Sequence, residues 1–158
     1  MPLDSDQLIQ RYGLIPHPEG GWYRELHRSP LLVQRPGGST RSALTAILFL
    51  LKAGEISRWH RVAGADETWH FAGGDPLELW TVTQPGGSLH CHRLGGPTDE
   101  RATPLAVVPA AWWQAARTTG SWSLVSCCVG PGFDFADFTL LRDCPQDQWP
   151  PAASTDFL

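Results

Sequence analysis

The sequence predicts an all-β protein, a sandwich or small barrel of short strands that follows one short helix. Strand-like apolar runs recur along the chain and are separated by turns rich in glycine and proline. Sixteen glycines and 14 prolines among 158 residues favour many such turns. The length suits one domain over residues 1–158 with a core of its own.

Composition and charge exclude several classes of protein. The apolar share of 42% and the charged share of 18% are typical of a folded soluble chain. A net charge of -4 and the lack of a basic run argue against nucleic-acid binding. The longest apolar run, residues 46–51, is shorter than the ~20 residues that a membrane span needs, and the first residues lack a signal-peptide pattern. We therefore expect a cytoplasmic protein with a small-molecule ligand and no membrane partner.

The first predicted element is an amphipathic helix over residues 4–12. Asp4 is its N-cap, and Gln7 stands three residues later in capping-box position. Gly13 follows the last helical residue and ends the helix. The apolar face consists of Leu8, Ile9 and Tyr12.

The helix is followed by a rigid turn, PHPEGG, and then by a short strand over residues 22–27. Alternation along this strand places Tyr23, Glu25 and His27 on one face. That face is either a cavity lining or the solvent side of an edge strand, and periodicity does not distinguish the two. His17, held between two prolines in the turn, is interpreted as structural.

The rest of the chain reads as a series of strands. A loop is predicted over 35–41, a strand buried on both faces over 43–51, and a hairpin over 54–74. A closing strand or short helix over 133–141 precedes a proline-rich tail that wraps around the domain or frays. The remaining strands are predicted over 77–83, 89–94, 105–109, 112–117 and 122–129.

The hairpin over 54–74 carries the strongest signal of a functional site. Gly54 and Gly74 close it, and His60 and Glu67 lie on its two strands. A histidine and a carboxylate aimed into one cavity suit a general acid/base pair or part of a metal shell. The sequence therefore predicts a site between these two side chains.

Alternation assigns further side chains of this stretch to faces. Trp69 shares the face of Glu67, whereas His70 points to the other face unless a β-bulge re-aims it. Arg58 shares a face with His60 and would meet an anionic group of the ligand. The flat ring of Trp69 suits stacking on a sugar or a base.

Cysteines and the remaining histidines give a weaker metal signal. The cysteines show no C-x-x-C spacing and are interpreted as buried, reduced side chains. His90 and His92 share a strand face beside a turn, and we interpret that face as solvated rather than as a metal site. The four cysteines are Cys91, Cys127, Cys128 and Cys144.

The stretch 54–74 resembles the first motif of the cupin superfamily, with both glycines, His60 and Glu67 at the motif spacings. Val62 stands where that motif has its second histidine. The second cupin motif is matched loosely by the segment VVPAAWWQ, in which Gln114 stands at the histidine position.

Over most of its length the chain also resembles one small family of single-domain cupins. The resemblance implies a double-stranded β-helix, or jelly roll, similar to the epimerase of the dTDP-rhamnose pathway. It also implies a homodimer, but that family brings no agreed activity. The segments that carry it are PHPEGGWYRE (16–25), TAILFLL (45–51), WHR (59–61), DETWHFAGGDPLEL (66–79), VVPAAWWQAA (107–116) and PGFDFADF (131–138).

The residues at the cupin ligand positions, His60, Glu67 and Gln114, would form a poor metal shell. Zinc and iron take three or more good nitrogen, sulfur or carboxylate ligands, and an amide is weak. We therefore expect a pocket without a cofactor. A divalent metal held by these three residues remains the alternative.

Without a metal, His60 is the natural general acid or base, with Glu67 as its partner and Tyr23 as a proton donor. This set predicts an epimerase, isomerase or dehydratase that acts on a sugar or nucleotide-sugar-like carbonyl compound. The alternative is a cupin that binds a ligand without chemistry. The predicted ligand contacts are Glu25, Arg58, Trp69, Trp112, Gln114 and His70.

Overall fold

In the computed structural model, which describes residues 3–85 and 87–158, two antiparallel sheets pack face to face. The larger sheet has six strands and the smaller has five, and a separate two-stranded ribbon lies beside them. The predicted all-β sandwich is confirmed, and its architecture is the double-stranded β-helix. The strands are β1 (Ile15–Pro16), β2 (Trp22–Arg28), β3 (Leu32–Gln34), β4 (Thr40–Ser42), β5 (Thr45–Lys52), β6 (Ile56–Val62), β7 (Asp66–Gly74), β8 (Leu77–Val82), β9 (Leu89–Leu94), β10 (Leu105–Val108), β11 (Trp113–Thr118), β12 (Trp122–Gly130) and β13 (Phe138–Leu140).

Helix α1 (Ser5–Tyr12) forms as its capping residues predict. The Asp4 side chain accepts a hydrogen bond from the Gln7 backbone, and the Gln7 side chain accepts one from the Asp4 backbone. Gly13 ends the helix in the left-handed conformation at φ 62°. The buried Leu8 packs with leucines of β5 and β12 and fixes the helix to the larger sheet.

The two strands around the predicted site do not form a hairpin. The larger sheet has the order β1-β2-β5-β12-β7-β10 and the smaller has the order β13-β6-β11-β8-β9. Consecutive strands β6 and β7 therefore lie in opposite sheets, and residues 63–65 connect them across the end of the sandwich. The hairpin prediction for 54–74 is wrong because alternation identifies a strand but not its partner. His60 and Glu67 consequently face each other across the sandwich.

Lateral pairing in the larger sheet divides its inner face into a core and a cavity. Cys127 of β12 lies between Ile47 of β5 and Trp69 of β7. In the next inner row Val129 lies between Thr45 and Glu67, where the polar side chains border a cavity. At the opposite end the inner rows form a dry core. Its fully buried members include Phe49, Leu51, Leu77, Leu79 and Val125.

The predicted loop over 35–41 joins the ribbon strands β3 and β4, and its last two residues, Thr40 and Arg41, belong to β4. Arg35 and Arg41 each place guanidinium nitrogens at 2.9 Å from the Asp137 carboxylate, which is 7% exposed. Planar guanidinium groups match a carboxylate in two parallel hydrogen bonds. The two arginines thus fasten the ribbon to residues 133–138, which run along the cavity.

The tail wraps around the domain rather than fraying. Trp59 points to the outer face of the smaller sheet, and its indole N–H donates to the carbonyl oxygen of Ser154 at 2.8 Å. Phe157 of the tail packs against that indole, with ring centroids 5.8 Å apart. The tail therefore covers apolar surface that β6 and β11 would otherwise expose.

All four cysteines are free thiols, and Cys127 is buried. Cys91 is exposed on the edge strand β9, so the prediction of burial is wrong for that residue. In the parts of the chain that are described, no helix is long and apolar enough to cross a bilayer.

Candidate active site

A cavity of about 410 Å³ opens between the two sheets at the end where the inner rows turn polar. His60 from β6 and Glu67 from β7 meet in its deepest part with Cys127 from β12. Tyr23 and Glu25 from β2 form one side. The sequence-predicted acid/base residues are thereby brought together.

Glu19 enters the cavity from the turn PHPEGG, which fits only because of its glycines. Gly20 has φ +106°, and a Cβ at that position would overlap the carbonyl oxygen of Ile56. The turn can therefore approach β6 closely enough for the Arg58 backbone N–H to donate to the Glu19 carbonyl oxygen at 2.7 Å. The Glu19 side chain is only 6% exposed.

Glu19 and His60 form a buried ion pair. The Glu19 Oε2 lies 2.7 Å from the His60 Nε2 and also accepts a hydrogen bond from the Ser57 hydroxyl at 2.9 Å. The His60 Nδ1 lies 2.7 Å from the carbonyl oxygen of Arg58. A carbonyl oxygen only accepts, so Nδ1 must carry a proton. Nε2 faces a carboxylate and shares a second proton with it, which makes His60 an imidazolium.

The charges of this pair support each other against the cost of burial. Burial opposes the imidazolium most strongly, but the attraction and hydrogen bond of Glu19, together with Glu67 and the Arg58 carbonyl oxygen, raise the pKa of His60. Burial likewise opposes the carboxylate most strongly, but the attraction and hydrogen bond of His60, together with His17 and the Ser57 hydroxyl, lower the pKa of Glu19. The two shifts, like the hydrogen bonds of the pair, favour the charged form of both groups.

His17 contributes a neutral imidazole to the cavity wall. Its Nδ1 accepts a hydrogen bond from the Glu19 backbone N–H at 3.1 Å, so that nitrogen is unprotonated. Burial lowers the pKa of His17, although the Glu19 carboxylate 3.5 Å away opposes that shift. The ring packs edge-on against Tyr23 at 4.5 Å. The histidine interpreted as structural thus borders the site and fixes the turn that carries Glu19.

Glu67 is held through a neutral amide. The Gln114 Nε2 donates to the Glu67 Oε2 at 2.8 Å. Burial raises the pKa of Glu67 to about 7, against the attraction of His60. Its carboxyl group can therefore take up or release a proton near neutral pH, as a general acid or base must.

Two β-bulges decide which charged side chains reach the cavity. In β2, Glu25 pairs with Ile47 while His27 pairs with Ala46, so Leu26 is an extra residue. The bulge turns His27 out to solvent and brings Arg28 into the lining. The expected shared face of Tyr23, Glu25 and His27 therefore ends at Glu25.

In β6 a second bulge separates Arg58 from the cavity. Gln114 pairs with His60 and Ala116 with Ser57, so three steps along β6 match two along β11. Ser57 and His60 both face inward, and Arg58 lies outside the lining, with its Nη1 3.4 Å from the Glu19 carbonyl oxygen. The predicted anion contact at Arg58 is thus absent from the cavity of the described chain.

Four more predicted contacts lie outside the lining. Trp69 and Gln114 are buried behind Glu67, where the Trp69 N–H donates to the Gln114 Oε1 at 2.8 Å. Trp112 packs half-buried against the core. His70 lies on the opposite face of β7 from Glu67, as alternation predicted, and its Nε2 is 2.9 Å from the Thr68 hydroxyl oxygen.

One wall of the cavity is a cluster of phenylalanines that sequence reasoning did not assign to the site. We call residues 133–138 the aromatic segment. Phe133 packs edge-on against Phe135 at 4.9 Å, and Phe138 lies 5.9 Å from Phe135 and 5.5 Å from the His60 ring. Phe135 is 52% exposed and forms the outer part of this wall.

Local signals pointed to the residues that were missed. Glu19 lies in a turn whose backbone is fixed by two prolines and two glycines. A charged side chain that a rigid loop holds in one position is a common feature of binding and catalytic sites. In the aromatic segment three phenylalanines are interspersed with two aspartates. This pattern is typical of a segment that packs aromatic rings on one side and exposes carboxylates to solvent on the other.

The residues at the cupin ligand positions do not fit a metal ion. Both ring nitrogens of His60 are engaged, by Glu19 and by the Arg58 carbonyl oxygen. The Gln114 oxygen accepts from Trp69 and does not face the cavity. Within residues 3–85 and 87–158, no group of three or more His, Cys, Asp or Glu is placed to hold a metal.

Comparisons with known proteins agree with this architecture. The profile of the family described as Cupin superfamily (DUF985) matches residues 6–141. The chain is 29% identical over 157 residues to the uncharacterized protein YML079W of Saccharomyces cerevisiae, covering 89% of this chain and 77% of that one.

Two solved structures are similar over most of their lengths. A hypothetical protein from Leishmania major is 31% identical with a TM-score of 0.81, and the match covers 87% of this chain and 86% of that one. Protein SO0799 from Shewanella oneidensis is 35% identical with a TM-score of 0.79, covering 89% and 85%.

Proposed function

Because the chain belongs to the family described as Cupin superfamily (DUF985), and the names of the three similar proteins given above state no activity, we propose a function from the cavity itself. The protein is a metal-independent enzyme that moves a proton on a small carbonyl compound. Its reaction is of the epimerase, isomerase or dehydratase type. The observation that carries this proposal is a buried carboxyl group, Glu67, which lines the cavity and is hydrogen-bonded to a neutral amide rather than to a cation, and whose pKa burial raises to about 7.

Glu67 is the group that takes the proton. His60 has both ring nitrogens engaged, so it does not reach a substrate while it is paired with Glu19. Glu67 is held by a neutral amide, and its carboxylate can attack a C–H bond next to a carbonyl. His60 is thus a positioning and charge-balancing residue, a narrower role than the general base expected from the sequence.

The electron pair of the broken C–H bond moves toward the carbonyl oxygen, where negative charge develops. Tyr23 lines the cavity and offers a hydroxyl that donates to that oxygen. Delivery of a proton from the Tyr23 hydroxyl to the other face of the carbon gives epimerisation, and return of the proton from Glu67 to the neighbouring carbon gives isomerisation. Departure of a neighbouring hydroxide, which takes the proton from Glu67 and leaves as water, gives dehydration.

Exchange of carbon-bound hydrogen with solvent tests this proposal without knowledge of the natural substrate. Aldoses, ketoses and small cyclic ketones are incubated in D2O with wild-type protein, and deuterium next to the carbonyl is followed by NMR. We expect exchange with wild type, loss of at least about 100-fold with Glu67→Gln, and a smaller loss with Tyr23→Phe. His70→Gln is the matched control, since His70 lies outside the cavity, and should leave exchange unchanged.

Two outcomes would contradict the proposal. Equal exchange by wild type and Glu67→Gln would remove Glu67 from the chemistry. Saturable binding of these compounds without exchange or product would favour the alternative, a cupin that binds its ligand and does not transform it.

A further inference from the structure

We infer that the cavity selects a compact ligand that is uncharged or cationic and has one flat apolar face, and that it rejects phosphorylated compounds, nucleotide-sugars included. The inference rests on the proposed function where it calls this ligand the substrate. The charge and shape selection rests on the lining alone.

The cations in the lining are already committed to carboxylates. His60 is paired with Glu19 at 2.7 Å. Arg28 donates from Nη2 to the Glu25 Oε1 at 2.6 Å and to the Phe133 carbonyl oxygen at 3.0 Å. Each of these two cations of the described lining therefore has its charge offset by a carboxylate, which weakens its attraction for a phosphate, a group ordinarily held by arginine, lysine or a row of backbone N–H groups.

Two carboxyl groups in the lining are left without a cation of their own. Glu67 is bonded to the Gln114 amide, and Asp134 accepts a hydrogen bond from the Ala136 backbone N–H at 2.8 Å. Both lie in the same cavity, Glu67 at its deep end and Asp134 at an exposed position. An anionic ligand would therefore meet the Asp134 carboxylate at the exposed end, and at the deep end it would meet the fraction of Glu67 that is ionised at a pKa of about 7, which also repels it.

The walls favour a ring. The aromatic segment presents Phe133, Phe135 and Phe138 on one side, and Ile47 and Val129 line the larger sheet. Apolar and aromatic walls bind the flat face of a ring, while a few polar groups orient its substituents. The ligand thus lies with one face on phenylalanine and its polar atoms toward Glu67 and Tyr23.

Cavity size points the same way. Cavities for small molecules range over roughly 300–1,000 Å³, and this one, at about 410 Å³, is near the small end. One ring with its substituents fits. A nucleotide-sugar that placed its sugar at Glu67 would leave its diphosphate beside Glu25 and Asp134, the exposed acidic residues of the lining. The sequence predicted a sugar or a nucleotide-sugar-like ligand. Of these two classes, the cavity favours the unphosphorylated sugar.

Three probes with one ring and three charges test the selection. Benzamidine, benzamide and benzoate are cationic, neutral and anionic at neutral pH and have nearly the same shape. Titration calorimetry should give binding of benzamidine and benzamide, with benzoate weaker than benzamide by at least about tenfold. Glucose and UDP-glucose form a second pair, in which the nucleotide-sugar should not bind more tightly than the free sugar.

A charge variant identifies the cause of the preference. Glu25→Gln removes one carboxylate and releases Arg28, so benzoate should gain affinity several-fold relative to benzamide. Glu100→Gln, an exposed carboxyl group outside the lining, is the matched control and should change neither probe. Phe138→Leu should weaken both neutral and cationic probes, because it removes a ring from the wall.

The inference is overturned if benzoate binds as tightly as benzamide, if UDP-glucose binds more tightly than glucose, or if no ring probe binds at millimolar concentration. None of these binding measurements requires the protein to convert the probe into a product. A charge preference that holds while Glu67→Gln still exchanges hydrogen would contradict the proposed function and leave the selection standing. If hydrogen exchange depends on Glu67 and benzoate also binds tightly, the proposed function stands and the charge selection is contradicted.

Discussion

Gln114 donates a hydrogen bond to Glu67, and Trp69 sets the direction of that bond. An indole N–H only donates, so the Gln114 oxygen must face Trp69 at 2.8 Å, and its NH2 group must face the Glu67 Oε2 at 2.8 Å. The amide stabilises the charged form of Glu67 and so lowers its pKa against the effect of burial. The chain of three side chains therefore tunes the carboxyl group that we assign to proton transfer.

Gln114→Met is expected to raise the pKa of Glu67 further above about 7. The change keeps the side-chain volume but removes the donor, and it leaves the Trp69 N–H without its acceptor, at a cost of about 1–3 kcal/mol in stability. The pKa is read from the 13C shift of the Glu67 carboxyl carbon as pH is varied. Gln10→Met, on the exposed face of α1, should leave that titration unchanged. A lower pKa in Gln114→Met would contradict the assigned direction of the bond.

Stability should be greatest in mildly acidic solution, between the ordinary carboxyl pKa of 4.5 and the ordinary imidazole pKa of 6.5. The lowered pKa of Glu19 gives stability that is present above 4.5 and is lost as pH falls through its folded value. The raised pKa of His60 gives stability that is present below 6.5 and is lost as pH rises through its folded value.

Glu67 adds to the decline on the alkaline side. Its pKa rises from 4.5 to about 7 on folding, so the folded state holds the proton more tightly and loses stability as pH rises between these values. The loss is of order 3 kcal/mol for one isolated group. The groups that face Glu67 are His60, Glu19, Cys127 and Gln114. Urea unfolding across this pH range measures the decline, and Glu67→Gln should reduce it; an unchanged slope would contradict the raised pKa.

The Glu19–His60 pair should behave as one unit in a double-mutant cycle. Removing either partner leaves a buried charge without its counterion, which typically costs about 3–5 kcal/mol. Glu19→Gln and His60→Asn should each destabilise strongly, and the double variant should lose much less than the two losses combined. Additive losses in urea unfolding would show that the two side chains are not paired. A fall in activity after His60 substitution alone therefore does not identify a catalytic histidine.

The aromatic segment should depend on Asp137 for its order. Asp137→Asn keeps the shape but removes the charge that holds Arg35 and Arg41. We expect faster amide hydrogen exchange over residues 133–138 and weaker benzamide binding by several-fold, because the wall is no longer fixed. Asp147→Asn, in the exposed tail, is the control. Unchanged exchange over the segment would show that the ribbon does not fasten it.

Strand positions were predictable from the sequence because alternation and turn residues are local. The helix cap at Asp4 and the strand over 122–129 needed no knowledge of the rest of the fold. Strand partners are not local, so the crossing between β6 and β7 was missed. His60 and Glu67 still fell in one cavity, since both point inward from whichever sheet carries them.

Side-chain roles were less predictable for a related reason. An extra residue in β6 turns Arg58 away, and a one-residue change of phase is invisible to a periodicity argument. The ion pair of Glu19 and His60 joins residues 41 positions apart, and only the close packing of a glycine turn on β6 brings them together. Burial of Trp69 and Gln114 behind Glu67 likewise depends on the depth of the sandwich.

The extra residue in β2 has a consequence for how related chains are matched. If Leu26 were absent, the residues on either side of it would pair with β5 without interruption. Glu25 would pair with Ile47, His27 with Ala46 and Arg28 with Thr45. Strict alternation would then still deliver Tyr23, Glu25 and Arg28 to the same side. A related chain that lacks one residue at this point would therefore keep the same side chains at the opening of the cavity. A gap there in a sequence alignment would not indicate the loss of a cavity residue. Equivalent residues around the opening of the cavity are therefore identified by the residues they pair with on β5, and not by their position in the sequence.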